Sequence, residues 1–270
     1  NDSLLYGTTS AGIGASANGI LYKFNPAGAV FTKIRDFDPL TNGAAPYGSL
    51  TKASNGLLYG MASQGGTTTN GTLFEFNTVT SAFTKFVDFD GLAKGRCPYS
   101  TLIQASNGKL YATTSVGGKS DRGVVFEFTI ASHTYKKIID MEGGIDGEAP
   151  RGTLILASNG KIYGTATFGG TKGSGVLLEC DPAINKGKFI KKFDFDRVIS
   201  GARPVFAPTQ ASNGKLYGTT ESGGANNAGT LYEFDPVTNA FAKKIDFDGA
   251  GKGKAPAGLM LASNNKLYGM

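Results

Sequence analysis

Tryptophan is absent from this 270-residue sequence, histidine occurs once and cysteine twice. A zinc site built on several imidazoles is therefore excluded by count, and a Ser-His-Asp triad would have to use His133, the one imidazole present. Charged residues make up only 18%, and the net charge of +6 is spread along the chain without the basic run or basic helix of a nucleic-acid footprint. No apolar stretch is long enough to cross a bilayer as a helix, and no signal peptide or lipid anchor stands out. The chain starts inside a repeat without an initiator Met, so processing signals are expected outside this segment. Helical periodicity is missing too: no window places apolar residues at intervals of about 3.6 positions.

What is abundant is glycine, 40 residues, together with eighteen Phe and eleven Tyr, and it is arranged in repeats. One tyrosine motif recurs as Tyr6, Tyr59, Tyr111, Tyr163, Tyr217 and Tyr268. The spacing is about 52 residues, and each copy divides into four short β runs, A to D. In the second full copy these are Pro98–Ser106, Lys109–Thr114, Gly123–Thr129 and Thr134–Asp140. Asn-Gly at 55–56, 107–108, 159–160 and 213–214 joins A to B and suits a type I′ hairpin. Asn25-Pro26, Asp181-Pro182 and Asp235-Pro236 make short turns between C and D. The B–C and D–A links are longer and glycine-rich, and in a meander these ten loops share one end.

Strand C, as GTLFEF at 71–76, carries Phe74 and Phe76 on one side and Leu73 on the other. A sheet apolar on both faces must be covered twice, which radial stacking achieves. The expected fold is therefore all-β: a single domain over 1–270 forming a β-propeller of five four-stranded antiparallel blades, or part of a larger propeller. Strand B occurs six times and A, C and D five. Either the first blade borrows strand A from residues 256–263, or the ring is larger.

The combination LYGTT, Gly-Gly, GTLFEF, and DFD followed by Gly and Pro resembles the Gloeo–Verruco tandem repeats, and the resemblance covers all 270 residues. It implies a bacterial protein that is secreted or held at the outer surface, of the choice-of-anchor type, and implies little about activity. The glycine pair is similar to that of kelch repeats, but the missing Trp departs from that pattern.

Catalytic chemistry is hard to place. The inner-strand copies PYGSLTKAS, PYSTLIQAS, PRGTLILAS, PVFAPTQAS and PAGLMLAS contain no Asp, Glu or His, so the paired carboxylates of a glycosidase have no source there. His133 is expected to be a solvated C–D turn residue, far from the long loops. Cys180 replaces Phe76, Phe128 and Phe234 and reads as a small buried hydrophobe; Cys97 lies elsewhere in its repeat and has no symmetric partner. The pairs Asp36/Asp38, Asp88/Asp90, Asp140/Glu142, Asp194/Asp196 and Asp246/Asp248 could open calcium loops, but DFDG at 88–91 is followed by no further acid. These residues are expected instead to accept backbone N–H groups of the following loop. Glu75, Glu127, Glu179 and Glu233 recur in strand C where the first copy has Lys23, which suggests a solvent-exposed position. The Gly-Gly loops lack the lysine and helix of a phosphate cradle and read as turns. No cofactor, no metal and no enzyme activity are expected.

Positions that differ between copies are free of the blade's own demands. They gather near the start of strand A: Tyr47, Arg96, Tyr99, Glu148, Arg151, Arg203 and Lys254, with Phe168 on the adjacent Gly-Gly loop. This aromatic and basic set suits a protein or carbohydrate ligand on the long-loop face. The expected role is a secreted or surface binding module. A structural spacer that self-associates by strand addition through the extra B strand is the alternative, and a glycan-processing enzyme a third.

Overall fold

The hairpin turns show how local chemistry sets the fold. In each A–B turn only the glycine is left-handed, with φ of 82° at Gly56 and 77° at Gly108. Gly56 N–H donates to Ala53 O, Ala53 N–H to Leu57 O, and Leu57 N–H to the Asn55 side chain. The loop is thus a three-residue turn closing on a left-handed glycine, not the two-residue type I′ turn that Asn-Gly suggests. Asn265 takes the same conformation, φ 60°, in the last copy, as the short polar side chain of asparagine allows.

The computed structural model describes residues 3–12, 17–183 and 189–270, and every regular element among them is a β-strand. The first sheet is β1 (Leu5–Thr9), β2 (Ile20–Asn25) and β3 (Val30–Asp36). Four complete sheets follow, each an antiparallel meander. They comprise β4 (Thr51–Lys52), β5 (Leu58–Ala62), β6 (Thr72–Phe76) and β7 (Phe83–Asp88); then β8 (Ile103–Gln104), β9 (Leu110–Thr114), β10 (Val124–Thr129) and β11 (Thr134–Asp140). The next is β12 (Ile155–Leu156), β13 (Ile162–Ala166), β14 (Val176–Cys180) and β15 (Phe189–Asp194). The last is β16 (Thr209–Gln210), β17 (Leu216–Thr220), β18 (Thr230–Phe234) and β19 (Phe241–Asp246), after which β20 (Leu259–Leu261) pairs with β21 (Leu267–Gly269). Five equal four-stranded blades are therefore not what forms: the first sheet has three strands and the last two. Strand β20 bonds to β21 rather than to β1, so the first sheet does not borrow its inner strand from residues 256–263. No helix among the described residues is long and apolar enough to cross a membrane.

The inner strands are far shorter than their nine-residue sequence copies, two residues in each complete sheet. Their remaining length is held sideways. Ser49 N–H donates to Thr101 Oγ1 at 2.9 Å, Thr101 N–H to Thr153 Oγ1 at 3.2 Å, and Ser158 N–H to Gln210 Oε1 at 2.7 Å. The first two bonds join equivalent positions of successive sheets and the third joins neighbouring ones, where a regular strand would bond only within its own sheet.

Between sheets the joint is aromatic. After three of the outer strands a Phe inserts beneath the next sheet: Phe37 lies 5.4 Å from Phe74, which stacks on Phe83 at 4.8 Å. Phe89 repeats this against Phe126 and Tyr135, and Phe195 against Tyr232 and Phe241. In the third joint Met141 packs in the same cluster as Leu178 and Phe189. Leu73, on the opposite face of its sheet, joins Phe89 and Phe126 on the far side. The three sheets β4–β7, β8–β11 and β12–β15 are thus apolar on both faces and covered twice, as the sequence requires.

The long links converge on one end. Each D–A link bridges the B–C loop of the following sheet through Ala44–Gln64, Arg96–Val116, Glu148–Phe168 and Ala202–Ser222. Gly66 and Gly118 there are left-handed, and a Cβ on Gly118 would lie 2.5 Å from Asp140 Oδ1, so the second glycine is required by both conformation and space.

Truncation of the inserted ring tests the joint. Phe89→Ala is expected to lower stability by ~3–5 kcal/mol, read by denaturant unfolding, whereas Val79→Ala in an exposed turn changes it by less than ~0.5 kcal/mol.

Candidate ligand-binding site at the axial depression

Most of the repeated carboxylates are engaged in holding the blades. In every C–D ladder a bulge inserts one residue into the outer strand, Phe86 in the first complete sheet, between Lys85 and Val87. Residues three apart in a regular strand point to opposite faces. The bulge brings Lys85 and Asp88 to the same face, 2.8 Å apart, and Lys137–Asp140 and Lys243–Asp246 repeat the pair. Asp88 Oδ1 also accepts the Thr67 N–H, as Asp140 accepts Lys119 and Asp194 accepts Thr171. The first acid of each pair therefore ties down the B–C loop of its own blade, not the loop that follows. The second acid does bind the following loop: Asp90 accepts Ala93 and Lys94, and Asp196 accepts Val198 and Ile199. Burial opposes ionisation of Asp88, but Lys85 and the Thr67 N–H outweigh it and hold the carboxyl below its usual range.

The strand-C glutamates are not solvent-exposed as their sequence position suggests: Glu127 and Glu179 are each 3% exposed. Each accepts the hydroxyl of the repeated tyrosine, Tyr163 to Glu179 at 2.6 Å and Tyr217 to Glu233 at 2.6 Å. A lysine from the A–B turn completes the site, Lys161 on Glu179 at 2.9 Å, and an asparagine donates to the tyrosine, Asn159 to Tyr163 at 3.1 Å. The first copy replaces glutamate with Lys23 opposite Tyr6, which made the position look indifferent to charge. Tyr217 and Lys215 hold Glu233 down at about 2, while burial pushes Tyr111 up to about 12. Burial likewise raises Cys180 to about 12, in keeping with an inert core thiol. His133 is exposed in its turn and stacks on Phe86 at 4.2 Å.

With those acids committed, the divergent positions stand out. Tyr47, Tyr99, Arg151 and Val205 occupy one place in successive copies, immediately after the repeated proline. Together with Phe206 and the inner-strand backbone they line an axial depression of about 410 Å³. Tyr47 and Tyr99 meet edge to face at 5.2 Å. Arg151 is exposed, and among the described residues it alone of the arginines makes no ion pair, hydrogen bond or ring contact. Arg35 lies over Phe83, Arg96 pairs with Asp121, Arg122 with Glu148, Arg197 with Asn227, and Arg203 with Glu221. A larger hollow of about 720 Å³ lies elsewhere, against the outer strand β11 and Phe189, and shares none of these residues.

The eight sequence candidates thus divide. Tyr47, Tyr99 and Arg151 share the mouth. Arg96, Glu148, Phe168 and Arg203 lie on the surrounding loops and are partnered, with Arg203 5.4 Å over the Phe168 ring. Lys254 is exposed on a separate loop. Phe206 was missed, although it replaces Gly48, Ser100, Gly152 and Gly258 in the other copies. A Cβ on Gly48 would fall 2.4 Å from the next copy's backbone, whereas Phe206 packs over Gly258.

Stacked four-stranded antiparallel sheets around an axial depression define a β-propeller-like protein. The chain belongs to the Gloeobacter/Verrucomicrobia repeat family, whose profile matches residues 1–107 and 92–270. No curated protein matches the sequence. Similar solved structures include the extracellular domain of a protein assigned as a hybrid two-component system from B. thetaiotaomicron, with TM-score 0.61 and 16% identity over 92% of this chain and 29% of that one. The periplasmic gluconolactonase of Pseudomonas aeruginosa aligns with TM-score 0.58 and 13% identity over 99% and 77%. A chain of a nidogen/laminin complex aligns with TM-score 0.58 and 12% identity over 98% and 84%. At these identities the likeness is one of fold. The chain spans less than a third of the first of these proteins.

The strand-C carboxylates give two expectations. A carboxyl whose folded value lies below its unfolded one contributes its stabilisation above the unfolded value and loses it as pH falls. For Glu233 that window runs from 4.5 down to about 2, so the thermal midpoint is expected to drop across it, and less steeply in a Tyr217→Phe, Lys215→Met double variant. Tyr163→Phe leaves Glu179 buried with one donor fewer and is expected to cost ~1–3 kcal/mol in denaturant unfolding.

Proposed function

We propose that the protein is a non-enzymatic binding module that takes a carboxylate-bearing glycan at the channel mouth on its long-loop face. The reading rests on Arg151, an arginine without a partner beside two tyrosines and Phe206, at positions the repeat leaves free to vary. A guanidinium binds a carboxylate in two parallel hydrogen bonds, and tyrosine faces and edges pack against sugar rings with little loss of side-chain freedom. The depression suits one or two sugar residues. Its lining contains no Asp, Glu or His, so it offers affinity and orientation without an evident acid or base. The outer ring of Arg96, Glu148, Phe168, Arg203 and Lys254 would contact the flanks of a longer ligand. An extracytoplasmic setting is part of the proposal: the structural neighbours include an extracellular domain and a periplasmic enzyme. We take the tandem sheets as blades of one propeller ring. A protein ligand is the second reading, favoured by the neighbour crystallised as a nidogen/laminin complex.

A glycan array containing uronic-acid and neutral oligosaccharides is the test. Binding of acidic members is expected to weaken by at least tenfold in Arg151→Ala and in Tyr99→Ala, with the thermal midpoint unchanged. Equal binding of neutral and acidic members, or no loss in Arg151→Ala, would overturn the glycan reading.

A further inference from the structure

The two terminal sheets expose complementary halves of the joint that elsewhere is closed. On the first sheet Tyr22 and Phe31 form the same ring pair, 5.1 Å apart, that Phe74–Phe83, Phe126–Tyr135 and Tyr232–Phe241 form in the complete sheets. There each pair is capped by the Phe of the preceding copy. On the first sheet none of the described residues supplies that cap. Phe31 is 56% exposed, and Leu5, Tyr22, Phe24 and Phe31 line an open apolar hollow of about 400 Å³. At the other end the relation is inverted. Phe247 follows β19 as Phe37, Phe89 and Phe195 follow their own outer strands, but those three are at most 1% exposed whereas Phe247 is only half-buried. Leu231, on the same face, is half-buried where its equivalents Leu73, Val125 and Leu177 are at most 1% exposed. The strands show the same deficit: among the described residues β1 pairs with β2 alone, and β21 with β20 alone.

We propose that these two ends together form a docking site for further strands of the same repeat: a polypeptide that adds strands C and D beside β21 and strand A beside β1. Its chemistry is fixed by the joints already present. Its strands C and D must together carry an aromatic or aliphatic pair, one residue from each, to receive Phe247, and its strand D must be followed by a Phe to cap Tyr22 and Phe31. It therefore begins with C–D and ends with A, alone or with whole four-stranded units between. Covering the two faces buries rings now in contact with solvent, and the strand edges gain partners, so the site is an apolar one closed by backbone pairing.

The chain contains its own probe. Leu58–Met61 and Leu267–Met270 both read LYGM, so residues 62–105 can be added after Met270 with the register continued, supplying C, D and A; residues 62–157 supply one blade more. One of these two extensions is expected to raise the thermal midpoint by at least ~5 °C, to reduce binding of a hydrophobic dye, and to remain monomeric by light scattering. Phe31→Asp should leave the 1–270 chain within ~2 °C of its own midpoint and abolish the gain in the extended chain. Failure of both extensions to raise the midpoint, a gain that survives Phe31→Asp, or a gain accompanied by doubled mass would overturn the proposal.

Discussion

The structure depends on one contact, the insertion of the ring after each outer strand beneath the aromatic pair of the next sheet. A four-stranded sheet with apolar groups on both faces cannot be stable in water alone, and a single neighbour covers only half of what it exposes. Phe37, Phe89 and Phe195 solve this by belonging to one sheet in sequence and to the next in packing. The third joint shows that the requirement is one of volume and apolarity more than of ring geometry, since Met141 works there against Leu178 and Phe189. Because the inserted residue sits at the start of the D–A link, the same contact fixes where that link runs, and hence where the mouth lies.

Polar groups then set the finer geometry. The bulge in each outer strand changes which side chains share a face, and that permits the lysine to meet the aspartate that anchors the Gly-Gly loop. In three of the four complete sheets the tyrosine, glutamate, asparagine and lysine form a second network at the opposite end, near the A–B turn, and in the first of the four Leu57 takes the place of the lysine. Both networks are nearly closed, with donors matched to acceptors, as buried charge requires. They consume most of the acidic residues that a catalytic reading would otherwise call upon.

Repeat length, strand order, the two-faced sheets and the shared end of the long links were legible because each follows from side-chain type and period alone. What was not legible follows from geometry that sequence encodes weakly. Asn-Gly is compatible with more than one hairpin, and the three-residue form shows only in the hydrogen bonds of Gly56 and Ala53. The bulge leaves no mark in composition, so the lysine–aspartate pairing could not be inferred. The burial of Glu127 and Glu179 was hidden by Lys23, a single divergent copy that makes an interior position look like a surface one. The short inner strands likewise escaped notice, because their hydrogen bonds run to the neighbouring copy instead of along their own sheet.

Repetition itself explains why the axial depression is where the copies are free to differ. Every residue that meets its counterpart in the next blade must satisfy the same joint several times over, so a change there is tested against an interior packed at high density. The residue after the repeated proline faces the axis instead, and Tyr47, Tyr99, Arg151 and Val205 differ there without disturbing the bonds that Ser49, Thr101 and Thr153 make just below. Arg151 is the informative member. The Arg151 guanidinium makes no ion pair or hydrogen bond in the blades, whereas the other arginines all have a partner within the described fold. A partner from outside the chain is what such a group is suited to receive, and the two tyrosines beside it limit how that partner can lie.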